Sequence, residues 1–350
     1  MSVPRRSTVR TATAATALVL TAALTSCTAS DPAETVTVYT ADGLRDEEGT
    51  GWFDQVFADF EEETGVEVRV VEGGSGEIVQ RADRESANPQ ADVLVTLPPF
   101  IQQADGLGLL QEYEPSGVEN VEVRDPNGRW ATIVDNYFCF IYNTEELEEP
   151  PTTWEDLLDP RFADRLQYST PGVAGDGTAV VIKAMHDFGG EEAAMEYLGE
   201  LQANNVGPSS STGALGPKVD KGELLIANGD VQMNVAQART MPNIGIWFPA
   251  PEGGAPTTFA LPYTAGLITD APQSENGRAL LDFLLSEAAQ ERVVPVAGGF
   301  PARTDIPVEG EGAEELADLL DGVEVFEPDW EDIDANLSDH VDAWRAATGG

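Results

Sequence analysis

The sequence predicts an α/β fold. Short β-branched runs closed by turn residues alternate along the chain with segments of helical apolar spacing. The 350 residues are enough to bury a sizeable core, and a chain of that length commonly divides into two lobes. Glycine-rich turns at several strand ends mark where such a fold would carry its chemistry.

The elements follow in order. Thr35 to Thr40 (TVTVYT) reads as a strand that stops at Asp42-Gly43. Trp52, Phe53, Val56, Phe57 and Phe60 recur at helical spacing, and that helix ends at Thr64-Gly65. Val66 to Val71 is the next strand, followed by Glu72-Gly73-Gly74-Ser75-Gly76 and a helix from Glu77 to Ser86. Ala91 to Leu97 is a third strand, closed by Pro98-Pro99. The long aromatic and β-branched segment Trp130 to Asn143 could carry the chain between lobes. Thr152 is placed to cap a short helix over Thr153 to Leu158. Leu166 to Thr170 is a strand leading into Pro171-Gly172 and Gly175-Asp176-Gly177, with helices over Thr178 to Phe188 and Glu191 to Asn204. Val231 to Val235, Ile244 to Pro249 and Phe259 to Thr269 read as the remaining strands, and the acidic tail from Glu311 as helical.

The N-terminus reads as an export signal. Arg5, Arg6 and Arg10 give it a basic start, no acid precedes Asp31, and Thr11 to Leu24 is apolar but too short for a permanent membrane span. Leu24-Thr25-Ser26-Cys27 resembles the bacterial lipobox, so residues 1–26 are expected to be a lipoprotein signal peptide, Cys27 the lipidated residue, and 27–34 a polar tether. The expected location is the cell membrane, held by lipid alone, facing the extracellular side or periplasm.

The formal net charge is −43, with Lys+Arg 19 against Asp+Glu 62. Such a surface repels phosphate backbones and argues against nucleic acid. The acid clusters, Glu61-Glu62-Glu63 among them, read as solvated faces. With Cys27 lipidated, Cys139 has no partner; it sits in Tyr137-Phe138-Cys139-Phe140-Ile141-Tyr142 and reads as a small core residue. The two histidines, His186 and His340, read as ordinary helix residues, and with one free cysteine they make no zinc constellation. Gly76 is not followed by Lys and Ser/Thr, the dinucleotide spacing is absent, and Gly73-Gly74-Ser75-Gly76-Glu77 lacks the second glycine of a nucleophile elbow. No catalytic constellation, metal site or cofactor motif results.

What remains is three turns rich in small residues: Thr40-Ala41-Asp42-Gly43-Leu44, Gly73-Gly74-Ser75-Gly76, and Gly175-Asp176-Gly177-Thr178. A helix start has unpaired N–H donors and the positive end of the dipole, so it attracts phosphate, phosphonate or carboxylate. Each turn alone is more often just a tight bend; three at strand ends shift the balance toward a ligand site.

With those motifs, the chain resembles the extracellular solute-binding proteins of bacterial ABC importers, in the branch that includes iron(III)-binding proteins. Asn88-Pro89-Gln90-Ala91-Asp92-Val93 and Gly298-Gly299-Phe300-Pro301-Ala302-Arg303 are similar to the branch as a whole. Tyr39 to Leu44, Glu72 to Gly76, Val95-Thr96-Leu97-Pro98-Pro99-Phe100, and Thr170-Pro171-Gly172 through Thr178 resemble the 2-aminoethylphosphonate binders. Iron(III) binders of the branch carry consecutive tyrosines in the second lobe; this chain has no such pair.

The resemblance implies a two-lobe periplasmic-binding-protein-like fold of type II, with mixed sheets flanked by helices, hinge strands and a central cleft. Residues 35–135 would begin lobe 1, 136–250 form lobe 2, 251–305 return to lobe 1 and the hinge, and 306–350 pack on lobe 2 as a helical tail. Thr40, Ser75, Gly76 and Thr178 would offer neutral donors to the phosphonate, with Ala41, Thr96, Leu97 and Gly177 lining the same turns. Asp42 or Asp176 would accept from the ammonium group, Tyr137 or Tyr263 would wall the methylenes, and Arg239 would clamp the anion or tie strand to helix. The implied partners are a small zwitterionic phosphonate and a permease with its ATPase, with the protein a monomer and no enzyme. Iron(III), thiamine or a polyamine remain alternative solutes, and an anchored hydrolase the alternative of another class.

Overall fold

The computed structural model describes residues 1, 2, 34–46 and 48–349; the leader from residue 3 on, Cys27 and the tether up to residue 33 lie outside the described residues. The larger sheet is seven-stranded, in the order Phe300–Pro301, Ala131–Asp135, Tyr263–Ile268, Val93–Thr96, Thr35–Ala41, Glu67–Gly73, with Leu110–Gln111 also paired to Tyr263–Ile268. Thr35–Ala41 runs parallel to both neighbours, with Val38 opposite Val70 and Val93, and Tyr263–Ile268 runs antiparallel to its own. Val93–Thr96 is buried at every position because helices cover both faces of the sheet. The helix Trp52–Thr64 buries Trp52, Phe53, Val56, Phe57 and Phe60, and stops at Gly65 with φ 75°, as the periodicity and the closing glycine predict.

A four-stranded sheet in the order Leu166–Gln167, Ile226–Asp230, Phe138–Asn143, Ile244–Trp247 organises the second lobe. The segment Trp130 to Asn143 is two strands, one in each sheet, so the chain does cross between lobes there. The run Phe259 to Thr269 is likewise broken. Thr257–Phe259 pairs with Glu324–Phe326 in a small parallel ribbon, and the chain enters the larger sheet only at Tyr263, after Pro262, which has no N–H for a ladder.

Three local expectations are corrected. Val231 to Val235 is helix, the start of Val231–Ala238, because the Asp230 carboxylate accepts from the Met233 amide at 2.8 Å and Val231 and Val235 share one helical face. The strand is the preceding Ile226–Asp230. Thr152 does not cap the next element, which is a 3₁₀ turn over Glu155–Leu158; instead the Asp156 carboxylate accepts from the amides of Thr152 (2.8 Å) and Thr153 (2.9 Å). Glu61 is more than a solvated acid, since it accepts from the Val68 amide at 2.7 Å and ties helix to strand.

Cys139 is buried in the core, and burial pushes its thiol well up, away from the nucleophilic form. His186 stacks flat on Phe326, and His340 pairs with Glu191. The last helix, Trp330–Thr348, buries Ile333, Leu337, Val341 and Trp344. It packs on Glu191–Leu201 of the second lobe and also touches Phe100–Gly106 of the first.

Candidate functional site

The three small-residue turns face one another across the gap between the lobes. The helix Ser75–Arg84 of the first lobe starts against the loop that precedes the helix Gly175–Asp187 of the second. The Gly76 and Glu77 amides both donate to the Val173 carbonyl, at 2.9 and 3.3 Å. A Cβ on Gly74 would lie 2.6 Å from the Val173 oxygen and 2.7 Å from the Ser210 oxygen, and one on Gly175 would lie 2.6 Å from the Ser75 hydroxyl. The absence of side chains here is what lets two backbones approach.

Asp42 makes the second bridge. Its Oδ2 accepts from the Ser211 hydroxyl at 2.5 Å and the Gly213 amide at 2.9 Å, both in the second lobe. Its main-chain oxygen accepts from the Tyr263 hydroxyl at 2.9 Å, and that hydroxyl also lies 3.3 Å from Asp230 Oδ2. Gly43 has φ 116°, and any Cβ there would collide with the Tyr263 hydroxyl, so this turn requires glycine twice over.

The electrostatics of this gap are set by carboxylates. Asp176 and Asp230 are 3% and 0% exposed. Burial first, then the charges of Asp230 and Asp42, raise the Asp176 carboxyl well above its ordinary range. Asp230 is raised by burial, partly offset by the Met233 amide, and Asp42 is raised by burial against the donors Ser211 and Gly213. The Tyr263 hydroxyl is pushed well up by burial and by all three acids. Partial desolvation and the Asp42 charge raise Glu72, on the rim, to about 7. Asp176 Oδ1 is buried with no hydrogen-bond partner.

Beside this cluster lies a cavity of about 640 Å³, lined from the first lobe by Asp42, Arg45 and Glu72 and from the second by Ser211, Gly213, Met233 and Arg239. Asp42 belongs to both the cavity wall and the cluster; Asp176 and Ser75 do not reach the cavity. Arg45 is paired with Asp54 at 2.8 Å. The Arg239 guanidinium donates to the Val296 carbonyl at 2.6 Å and so ties its helix to the segment Val293–Ala297.

The other residues singled out from the sequence occupy defined places. The Thr40 hydroxyl donates to the Ala41 carbonyl, and the Thr96 hydroxyl lies 3.3 Å from the Ser75 carbonyl. Thr178 Oγ accepts from the Gly172 amide and donates to the Ala174 carbonyl, which organises the turn. Gly177 packs on the Ser169 main chain, and Leu97 lies against Gly175. Tyr137 stands apart, edge-on to Phe300 at 5.7 Å. Sequence reasoning missed Asp230, because Val231 to Val235 read as strand and hid the helix it caps. It also missed Ser211 and Gly213, although the run Ser209-Ser210-Ser211-Thr212-Gly213 is an evident small-residue turn.

Among the described residues no helix is long and apolar enough to cross a membrane. A family model for bacterial extracellular solute-binding proteins matches residues 46–291. A Salmonella paratyphi A protein named "Putative 2-aminoethylphosphonate-binding periplasmic protein" is 47% identical over 313 residues, 89% of this chain and 92% of that one. Among solved structures, the periplasmic binding protein AfuA from Actinobacillus pleuropneumoniae, with fructose-6-phosphate bound, superposes with a TM-score of 0.77 at 19% identity, covering 90% of this chain and 99% of that one. The periplasmic binding protein P5PA superposes with a TM-score of 0.76 at 22% identity, with the same coverage.

Proposed function

This chain belongs to the bacterial extracellular solute-binding proteins, and from that premise we propose that it captures 2-aminoethylphosphonate or a closely related small phosphonate for an ABC importer. The observation that carries the reading is the meeting of glycine turns from both lobes around buried carboxylates, a combination that offers an oxyanion amide donors and a cation acceptors in one gap. The named relative at 47% identity supports the same ligand.

In this reading the solute bridges the lobes and stabilises the closed form that the permease recognises. The first-turn amides of Gly175–Asp187 and the Ser75 hydroxyl are the donors for the phosphonate, and the Gly76 amide joins them if the solute displaces the Val173 carbonyl. Asp42 and Asp176 serve the ammonium group, and Tyr263 buttresses Asp42. Solutes lacking either end leave a buried group unpaired, which is how such a gap discriminates. The protein works as a monomer anchored through a lipid on Cys27, and no covalent step is required.

Calorimetry of the purified protein against 2-aminoethylphosphonate, phosphate, iron(III), thiamine and putrescine tests the reading. Tight binding of 2-aminoethylphosphonate with weak or no binding of the others is expected. Tight binding of iron(III) or thiamine alone overturns it.

A further inference from the structure

We propose that the cavity beside Asp42 is an extension subsite, through which the protein also takes aminoalkylphosphonates whose nitrogen carries a short substituent ending in a hydrogen-bond donor. The inference rests on the functional reading above and deepens it by widening the substrate class from the two-carbon solute to its N-substituted relatives.

The cavity is too large for the small solute alone. Its volume of about 640 Å³ lies within the ~300–1,000 Å³ that receives drug-sized ligands, far more than a two-carbon aminophosphonate fills. It joins the gap at Asp42, which lines the cavity and accepts across the gap from Ser211 and Gly213, whereas Ser75 and Asp176 stay outside. A solute whose nitrogen sits at Asp42 has its phosphonate enclosed by the glycine turns and its nitrogen at the edge of open space. Growth from nitrogen, not from phosphorus, leads into the cavity. An N-alkylated amine keeps its positive charge and still has N–H donors for Asp42.

Met233 forms the threshold. Its sulfur lies 3.5 Å from where a Cβ on Gly43 would stand and 3.6 Å from one on Gly213, and it also lines the cavity. It therefore sits beside the Asp42 turn and the Gly213 turn that meets it. A methionine side chain is unbranched and soft, and repacks readily around a new neighbour.

Gln232 is the acceptor. It is 1% exposed and lines the cavity, and its Nε2 donates to the Gly43 carbonyl at 3.1 Å and the Ala297 carbonyl at 2.8 Å. Those two bonds fix which atom is nitrogen and leave Oε1 buried without a donor. A buried acceptor left unpaired costs free energy that an incoming O–H or N–H recovers. Because the same side chain holds Gly43, next in sequence to Asp42, a short substituent spans the distance.

The rest of the wall selects the kind of extension. Among the described lining residues, Asp42, Asp46, Glu48 and Glu72 outnumber Arg45 and Arg239. Arg45 is paired with Asp54, and Arg239 donates to the Val296 and Val294 carbonyls. A second anion meets net repulsion there, and a neutral hydroxyl does not.

The test measures by calorimetry the affinities of 2-aminoethylphosphonate and its N-(2-hydroxyethyl) and N-propyl derivatives for wild type, Ala214→Trp and Met233→Ile. Ala214 is exposed on the cavity wall, so tryptophan narrows the cavity without entering the core. Isoleucine keeps an apolar side chain at 233 but stiffens it at the branch. Thermal unfolding verifies each fold. Wild type should bind the hydroxyethyl derivative within about tenfold of the parent, and the propyl derivative about fivefold more weakly than the hydroxyethyl one. In each variant the affinity for the hydroxyethyl derivative relative to the parent should fall by about tenfold or more, whereas a general loss of folding or closure moves both ligands equally. A wild type that binds the parent but holds the hydroxyethyl derivative far more weakly than that overturns the inference and leaves the functional reading standing. So does an unchanged ratio in both variants, or a propyl derivative bound as tightly as the hydroxyethyl one. Binding of the hydroxyethyl derivative without the parent sustains the subsite and removes the parent as the solute. If wild type binds none of the three, both the inference and the reading fall.

Discussion

Gly74→Ala is a wedge set between two lobes by a single methyl group. Gly74 has φ −64° and ψ 148°, a conformation open to any residue, so alanine strains nothing locally. The added carbon meets only the other lobe: the Val173 oxygen at 2.6 Å and the Ser210 oxygen at 2.7 Å. Both are main-chain atoms that cannot rotate away. Restoring ordinary contact at 3.4 Å requires the lobes to part by about 0.8 Å at that point. The Gly76–Val173 hydrogen bond, now 2.9 Å, would then stretch beyond useful length, as would the 3.3 Å bond from Glu77. At about 1 kcal/mol net for each, the closed form loses about 2 kcal/mol, which is about a 30-fold shift toward opening. On the proposed reading, in which the closed form holds the solute, ligand affinity measured by calorimetry should fall by about 10- to 30-fold. Thermal stability should hold or rise, since alanine restricts the unfolded chain. Gly106→Ala, whose methyl would meet nothing within 4 Å, is the control and should bind like wild type. A Gly74→Ala protein with wild-type affinity would refute the claim that these turns touch in the binding-competent form.

Further predictions follow from the same groups. Ser75 is 1% exposed at the interface of the lobes, and Ser75→Ala should weaken phosphonate binding by about 1–3 kcal/mol in calorimetry; an unchanged affinity removes that hydroxyl from the site. Asp135, raised to about 6, and Asp176 and Asp230 hold their protons more tightly folded than unfolded, whereas Asp46, Asp156 and Asp305 are shifted downward and act only at lower pH. Over the window from about pH 7 to about pH 4 the folded state therefore binds more protons, and the unligated protein should melt higher at pH 5 than at pH 8. A melting temperature that falls over that range contradicts the assignment. Lys183→Met leaves Asp187 charged and buried without its cation, and should cost about 3–5 kcal/mol in denaturant unfolding; a loss below about 1 kcal/mol means the pair is not the one the structure depicts.

Much of the architecture was legible because it is written in local chemistry. The spacing of Trp52 to Phe60 with Gly65 behind it specifies one helix, and the β-branched run at Thr35 specifies a strand buried on both faces. Small residues at strand ends marked the turns, but that Gly74, Gly76 and Gly175 sit where two segments approach closely is visible only in the fold. Two things resisted. Val231 and Val235 fit either period, and the Asp230 side chain that decides for helix cannot be recognised as a cap until the preceding strand is known to end there.

Partnership across the gap is a harder matter, because it is absent from any local pattern. Asp42 and Ser211 are 169 positions apart, and nothing in either turn announces the other. The same applies to Asp176: its neighbours in sequence make it look like the opening acid of a helix, which suits the dipole and needs no ligand. Only when the fold sets it beside Asp230 and Asp42 does the excess of negative charge become a local cost rather than a surface property. A chain of formal charge −43 gives no hint which of its acids are uncomfortable. Asp176 and Asp230, both buried, with Asp42 near enough to raise Asp176 further, are the ones where that cost falls.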